Sequence, residues 1–186
     1  KFYQDLMRKT GHKPPTKKEF EKIFHFSLWE STKYLTKLES DEEIRKLWEF
    51  GKKSIRDYKE LLRMPENSGK VVRALSKRYL LALVSNRVRS SVNEFLEFSK
   101  MKRYFKSSVS YEDTKNHKPH PEPLLTAAKL LGMKPENSVY IGDAETDAQA
   151  SKAAGMKFIL YSKKPLSGIN CVSAFKDIPK FIEQID

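Results

Sequence analysis

Three short segments carry residue types that could do chemistry together. In Gly142-Asp143-Ala144-Glu145-Thr146-Asp147, two carboxylates lie four positions apart, just after the apolar run Val139-Tyr140-Ile141. Asp143 would project from the end of a strand and Asp147 would return one turn later to the same side, with Gly142 letting the chain turn sharply. Such a pair repels itself unless a cation or a lysine lies between its members. It suits Mg2+, a hard ion that takes carboxylate and water oxygens and usually bridges to a phosphate. The competing reading is helix capping, with Asp143 or Thr146 at the helix start and acids favoured by its dipole.

The second segment is Asn116-His117-Lys118-Pro119-His120-Pro121-Glu122-Pro123. Pro119 restricts Lys118 to an extended conformation, so a stiff loop presents this lysine just before a helix. A fixed ammonium there could neutralise a phosphoryl oxygen and hold the nearby aspartates. Against this stands the ordinary surface lysine of a helix lead-in. His117 and His120 lack a third metal-ligating partner and read as loop residues. The third segment is Ser85-Asn86, whose hydroxyl, amide and backbone N–H groups could hold oxyanions near a helix start. Taken alone it is a turn.

These residues need elements to position them. The spacing predicts a short helix over Phe2 to Lys9, ended by Gly11. Apolar residues from Phe20 to Leu35 continue one helical face, and a further helix follows a Ser40 or Asp41 cap, with Ile44, Leu47, Trp48, Ile55, Tyr58, Leu61 and Leu62 as its buried stripe. The first third is thus an all-helical lobe, residues 1–64. Met64-Pro65-Glu66-Asn67-Ser68-Gly69 reads as a linker, and from residue 65 onward the pattern alternates. A helix over Lys70 to Lys77 leads to Leu80-Leu81-Ala82-Leu83-Val84, which suits a strand buried on both faces. A helix capped by Ser91 and Glu94, a weaker strand within Tyr104 to Tyr111, a helix over Glu122 to Leu131, a strand over Ser138 to Ile141, a helix over Thr146 to Ala154 and a strand over Lys157 to Tyr161 complete it. Such alternation predicts an α/β fold, a doubly wound parallel sheet (Rossmann-like) with a small helical domain, and ligands beyond the carboxyl ends of the strands.

Composition narrows the classes. The 186 residues, 39% of them hydrophobic, can bury one sizeable core with a small second lobe. Lys and Arg number 36 against 24 Asp and Glu, a net charge of +12 that favours anionic partners. Cys171 is the sole cysteine, which excludes an internal disulfide framework and fits a reducing compartment. No apolar stretch approaches the roughly 20 residues needed to span a bilayer, and Lys1 to Thr10 lacks the apolar block of a signal peptide, so a cytoplasmic protein without membrane contact is expected.

In their order and spacing, the three segments resemble motifs two, three and four of the haloacid dehalogenase superfamily. LLALVSN resembles the second, HKPHPEPLLTAAKLLG the third and SVYIGDAETDAQASKAAGM the fourth. The spacing around them is similar to the phosphoglycolate-phosphatase-like branch, and residues 1–64 resemble its mobile helical cap. The resemblance implies a magnesium-dependent phosphomonoesterase acting on a small phosphorylated metabolite. In that family an aspartate attacks phosphorus, a second aspartate two residues on serves as acid and base, and the aspartyl phosphate is hydrolysed. Carried onto this chain, Ser85 would bind the phosphoryl group with the Asn86 backbone, Lys118 would stabilise its charge, Asp143 would ligate Mg2+, and Asp147 would support the metal shell or pair with Lys118. The cap would select the rest of the substrate and exclude water.

One departure is large. The family's first motif, a strand ending in Asp-x-Asp, has no counterpart, because no two aspartates here are separated by a single residue. In the family that strand lies between those bearing Ser85 and Asp143 and shortly before the first cap helix, which Phe2 to Lys9 resembles; a strand of about 5 or 6 residues with its turn and helix start puts roughly 20 residues ahead of Lys1. The chain, which does not begin with methionine, reads as part of a longer enzyme and is expected to be inactive alone; a natural relative that has lost its nucleophile is the other explanation. A metal-free dehalogenase, a phosphomutase and a basic nucleic-acid-binding module are the rivals. The last rests on fifteen Lys or Arg against five Asp or Glu from Gly51 to Lys106. Without a recognisable binding motif, that charge fits a solvated surface and a small anionic ester better.

Overall fold

Reciprocal caps start two helices of the first third. α1 (Phe2–Lys9) buries Leu6 and Met7. Thr16 accepts the Glu19 N–H at 3.3 Å while the Glu19 carboxylate accepts the Thr16 N–H at 2.8 Å, which starts α2 (Lys17–Ile23). Ser27 and Glu30 repeat the arrangement at α3 (Leu28–Thr36). The face running from Phe20 to Leu35, expected as one helix, is therefore two, because Ser27 adopts the extended backbone of an N-cap. Ser40 accepts the Glu43 N–H at 3.4 Å beside the start of α4 (Asp41–Ser54), and a 3-10 segment, Ile55–Leu61, follows. A Cβ on Gly51 would come within 3.2 Å of Leu28, so a glycine lets α4 approach α3. The Tyr58 hydroxyl donates to Asp5 at 2.9 Å and ties the 3-10 segment back to α1. Ile44 is fully buried, but Leu61, expected in the same stripe, is 52% exposed. The computed structural model describes every residue except His25 and Asp186, with the side chains of Ile55, Arg56 and Lys59 also outside the description. The expected burial of Ile55 falls there.

The remainder alternates as expected: α5 (Ser68–Leu75), β1 (Ala82–Val84), α6 (Arg89–Ser99), β2 (Ser107–Val109), α7 (Glu122–Leu131), β3 (Val139–Gly142), α8 (Glu145–Ala154), β4 (Lys157–Tyr161), β5 (Cys171–Val172) and α9 (Ile178–Ile185). β5 and α9 had no forecast. α6 starts at Arg89, before the expected Ser91 cap, because the carbonyl of buried Val88 accepts the Val92 N–H. The chain divides into two compact units: 1–62 with 86–98, and 63–85 with 99–186. α6 thus belongs with the helical unit.

All strand pairs in the second unit are parallel. β1 pairs with β2 in the register Leu83 to Ser108, and β3, β4 and β5 form a second sheet in that order. Both sheets share the same two helical layers. On one face Val71 and Leu75 of α5, Ile159, Val172, and Ile178 and Ile182 of α9 form a core that also takes Leu81, Val139 and Ile141. On the other, Leu124 of α7 packs with Ala150 and Ala154 of α8 against Val84 and Tyr140. Alternate residues of β3 thus face opposite layers, as strand pleating requires. This is an α/β core wound on both faces. Among the described residues no strand joins β1 to β3, and in the run expected to be buried on both faces Leu80 is exposed and Leu81 to Val84 are half-buried.

Candidate active site

Asp147 organises the carboxyl end of β3. It lies in the first turn of α8 and reaches back, so that its Oδ2 accepts the backbone N–H groups of Asp143 at 3.0 Å and Ala144 at 3.1 Å. Those are N–H groups that a helix start leaves without an internal partner. The capping duty expected of Asp143 or Thr146 falls to Asp147, with Ala144 at the N-cap. Gly142 makes this possible by its size. A Cβ there would lie 2.5 Å from the Asp147 carboxyl group, so close approach, rather than a left-handed turn, requires the glycine.

The other carboxylate oxygen faces Lys118. Lys118 Nζ donates to Asp147 Oδ1 at 2.6 Å and to the Tyr140 hydroxyl at 2.9 Å, and that hydroxyl donates to the same Oδ1 at 3.2 Å. Both charged side chains are nearly buried, at 11% and 5% exposure. Burial pulls the Lys118 pKa down, but the Tyr140 and Asp147 oxygens outweigh it through charge and hydrogen bonds, leaving it above its ordinary value. Burial pushes the Tyr140 phenol up to about 12, with Lys118 opposing and Asp147 adding. At neutral pH Lys118 is therefore an ammonium and Tyr140 a neutral phenol.

Glu122 shapes the loop that delivers Lys118. Its carboxylate accepts the Lys115 and Asn116 N–H groups, both at 3.0 Å, and the Asn116 amide at 2.8 Å, which holds its pKa below the usual carboxylate range. The Lys118-Pro119 bond is cis. The His117 ring stacks on Tyr111 at 3.8 Å, and His120 Nδ1 accepts the Glu122 N–H.

The structure therefore brings together Lys118 and Asp147 and sets Asp143 exposed on the adjoining turn. Ser85 follows β1, its N–H donating to the Val109 carbonyl of β2 at 2.9 Å. It shares the second unit with the cluster, and α7, which the Lys118 loop feeds, packs on β1 and β2. Asn86 opens the segment belonging to the helical unit. Sequence reasoning passed over two contributors. Tyr140 counted only as an apolar strand residue, though a hydroxyl in a buried aliphatic run needs a partner; Glu122 counted only as a helix start.

As donors for Mg2+, the residues fit in a limited way. Asp147 is committed to Lys118, Tyr140 and two backbone groups, whereas Asp143 is an exposed carboxylate at the strand end. Among the described residues no group of three or more His, Cys, Asp or Glu converges.

Parallel strands wound with helices on both faces, and a lysine–aspartate pair beyond a strand's carboxyl end, define a Rossmann-like α/β core with its polar site where such sheets bind ligands. The sequence profile of haloacid dehalogenase-like hydrolases matches residues 1–161, and the chain belongs to that family. Over part of its length it is similar to phosphoglycolate phosphatases. It is 45% identical over 75 residues to a phosphoglycolate phosphatase of Salmonella typhi and 40% identical over 75 residues to that of Escherichia coli. Each match spans 40% of this chain and 30% of the relative. Among solved structures, a phosphoglycolate phosphatase-like protein from Lactobacillus plantarum superimposes with a TM-score of 0.82 at 19% identity, over 96% of this chain and 88% of that one. A β-phosphoglucomutase from Clostridium difficile does so with 0.80 at 22%, over 98% and 86%. These share the fold. No helix among the described residues is long and apolar enough to cross a membrane.

Proposed function

We propose that this chain belongs to a Mg2+-dependent phosphomonoester hydrolase acting on a small phosphorylated metabolite. The observation that carries the reading is the Lys118–Asp147 pair at the carboxyl end of β3, in a chain of this family. Lys118, kept charged by Asp147 and Tyr140, stabilises the negative charge on the transferring phosphoryl group. Ser85, with the Asn86 backbone, binds its oxygens. Asp143 holds Mg2+, which when bound neutralises phosphoryl oxygen charge and orients the ester. In this reading the nucleophilic aspartate and its acid-base partner lie on sequence outside these 186 residues. The carboxylate attacks phosphorus as the P–O ester bond breaks, the leaving alkoxide takes a proton from the second aspartate, and water then releases phosphate.

The test is phosphate release from a panel of phosphomonoesters by the full-length protein, with Mg2+ and with chelator. Release of inorganic phosphate that needs Mg2+ supports the reading. Turnover that persists in chelator overturns the metal assignment, and conversion of one sugar phosphate into its isomer would reassign the enzyme as a phosphomutase.

A further inference from the structure

Tyr140 does more than its place in β3 requires. Packing against Leu124, Ala150 and Ala154 would be met by phenylalanine, and the ring is already held by its neighbour across the sheet. Tyr140 and Phe158 are paired in register between β3 and β4, with ring centroids 6.2 Å apart and planes at 30°. The phenol oxygen is thus attached to a ring fixed by a paired strand and a packed face. It accepts from Lys118 Nζ at 2.9 Å and donates to Asp147 Oδ1 at 3.2 Å, closing a triangle with the 2.6 Å ion pair.

That geometry answers a specific difficulty. A lysine ammonium rides on a flexible four-carbon stem, and one ion pair leaves it free to swing about its partner. A carboxylate at the start of a helix fixes one direction. A second acceptor, on a rigid ring from a different element, fixes another. The same hydroxyl also donates to the oxygen that receives Lys118, so the carboxylate cannot rotate without losing two bonds.

We propose that Tyr140 is a positioning residue, whose hydroxyl holds Lys118 Nζ and Asp147 Oδ1 in one arrangement at the end of β3. The assignment rests on the phosphoryl-transfer reading for what Lys118 then does. Tyr140→Phe removes one oxygen and keeps the ring, so the fold is retained and the hydroxyl alone is tested.

Two readouts on the full-length protein separate this role from packing and from the activity itself. The first is hydrogen exchange of the Lys118 ammonium, followed by proton–nitrogen NMR and assigned with Lys118→Met. Loss of a hydrogen bond to a charged group predicts about tenfold faster exchange in Tyr140→Phe. Exchange within about twofold of wild type overturns the proposal, whatever the enzyme turns over. The second is phosphomonoester hydrolysis, where misplacing Lys118 lowers kcat about tenfold with KM nearly unchanged. An unchanged kcat, or a change confined to KM, contradicts the positioning role. Wild-type protein that hydrolyses no phosphomonoester would defeat the phosphatase reading, while the ammonium readout would still decide Tyr140.

Discussion

Asp147 joins two structural duties: one carboxylate oxygen closes the start of α8, and the other lies 2.6 Å from Lys118 Nζ. The lysine comes from a loop 29 residues earlier in the chain. Helix capping and charge stabilisation therefore depend on the same side chain, and a change to either partner reaches both.

Removing the lysine should be costly to the fold as well as to activity. Lys118→Met leaves a buried carboxylate without its ammonium, and breaking such a pair costs about 3 kcal/mol or more. Urea unfolding at neutral pH should show a loss of that size. A change below about 1 kcal/mol would mean that the backbone and Tyr140 bonds alone satisfy Asp147.

Gly142→Ala places a methyl group 2.5 Å from the Asp147 carboxyl, so that side chain must shift. A steric intrusion of this kind costs about 1–3 kcal/mol, with loss of the caps on Asp143 and Ala144. The melting temperature and the amide exchange of residues 143 and 144 report it. Wild-type protection at both amides would show that the approach is not tight.

Stability should fall at high pH. The Tyr140 phenol titrates near 12 in the folded chain against 10.0 ordinarily, so the unfolded form ionises first. A raised folded value contributes stability that is complete below the unfolded pKa and is lost as pH climbs through the folded one. Lys118, also raised, acts in the same direction. Two pH units at 1.36 kcal/mol each give a loss of about 2–3 kcal/mol for Tyr140. Tyr3 and Tyr58 are raised too, so the measurement is the difference between wild type and Tyr140→Phe. Parallel pH profiles from pH 10 to 12 would contradict the burial of this hydroxyl.

Glu122→Ala removes the carboxylate that gathers the Lys115 and Asn116 N–H groups. Faster amide exchange at both, with little change in melting temperature because Glu122 is half-exposed, is the expected result. Unaltered exchange would mean the loop holds its shape by other contacts.

The elements that could be read in advance are those with local signals. Gly132 and Gly155 end α7 and α8 in the left-handed conformation, with φ of 67° and 71°, as their position after apolar helical runs foretold. The pairing of Lys118 with Asp147 was one of two roles for Asp147 that the family resemblance implied, support of a metal shell being the other. The division of the Phe20 to Leu35 face was also readable, since Ser27-Leu28-Trp29-Glu30 has the spacing of a capping box. What could not be read depends on distant partners. Glu122 works through a loop that must fold back on it, Tyr140 through residues 22 positions before and seven after it, and β5 is only two residues long. Leu80, 49% exposed, lies before β1 begins at Ala82, a boundary that the apolar run alone does not encode.

The most direct measurement is Mg2+-dependent phosphate release by the full-length protein, wild type against Asp143→Ala. Loss of release by several orders of magnitude in the variant, with an unchanged fold, is the predicted result, since the carboxylate holding the metal would be gone. Equal turnover in the two proteins, or release by wild type undiminished in chelator, would contradict it.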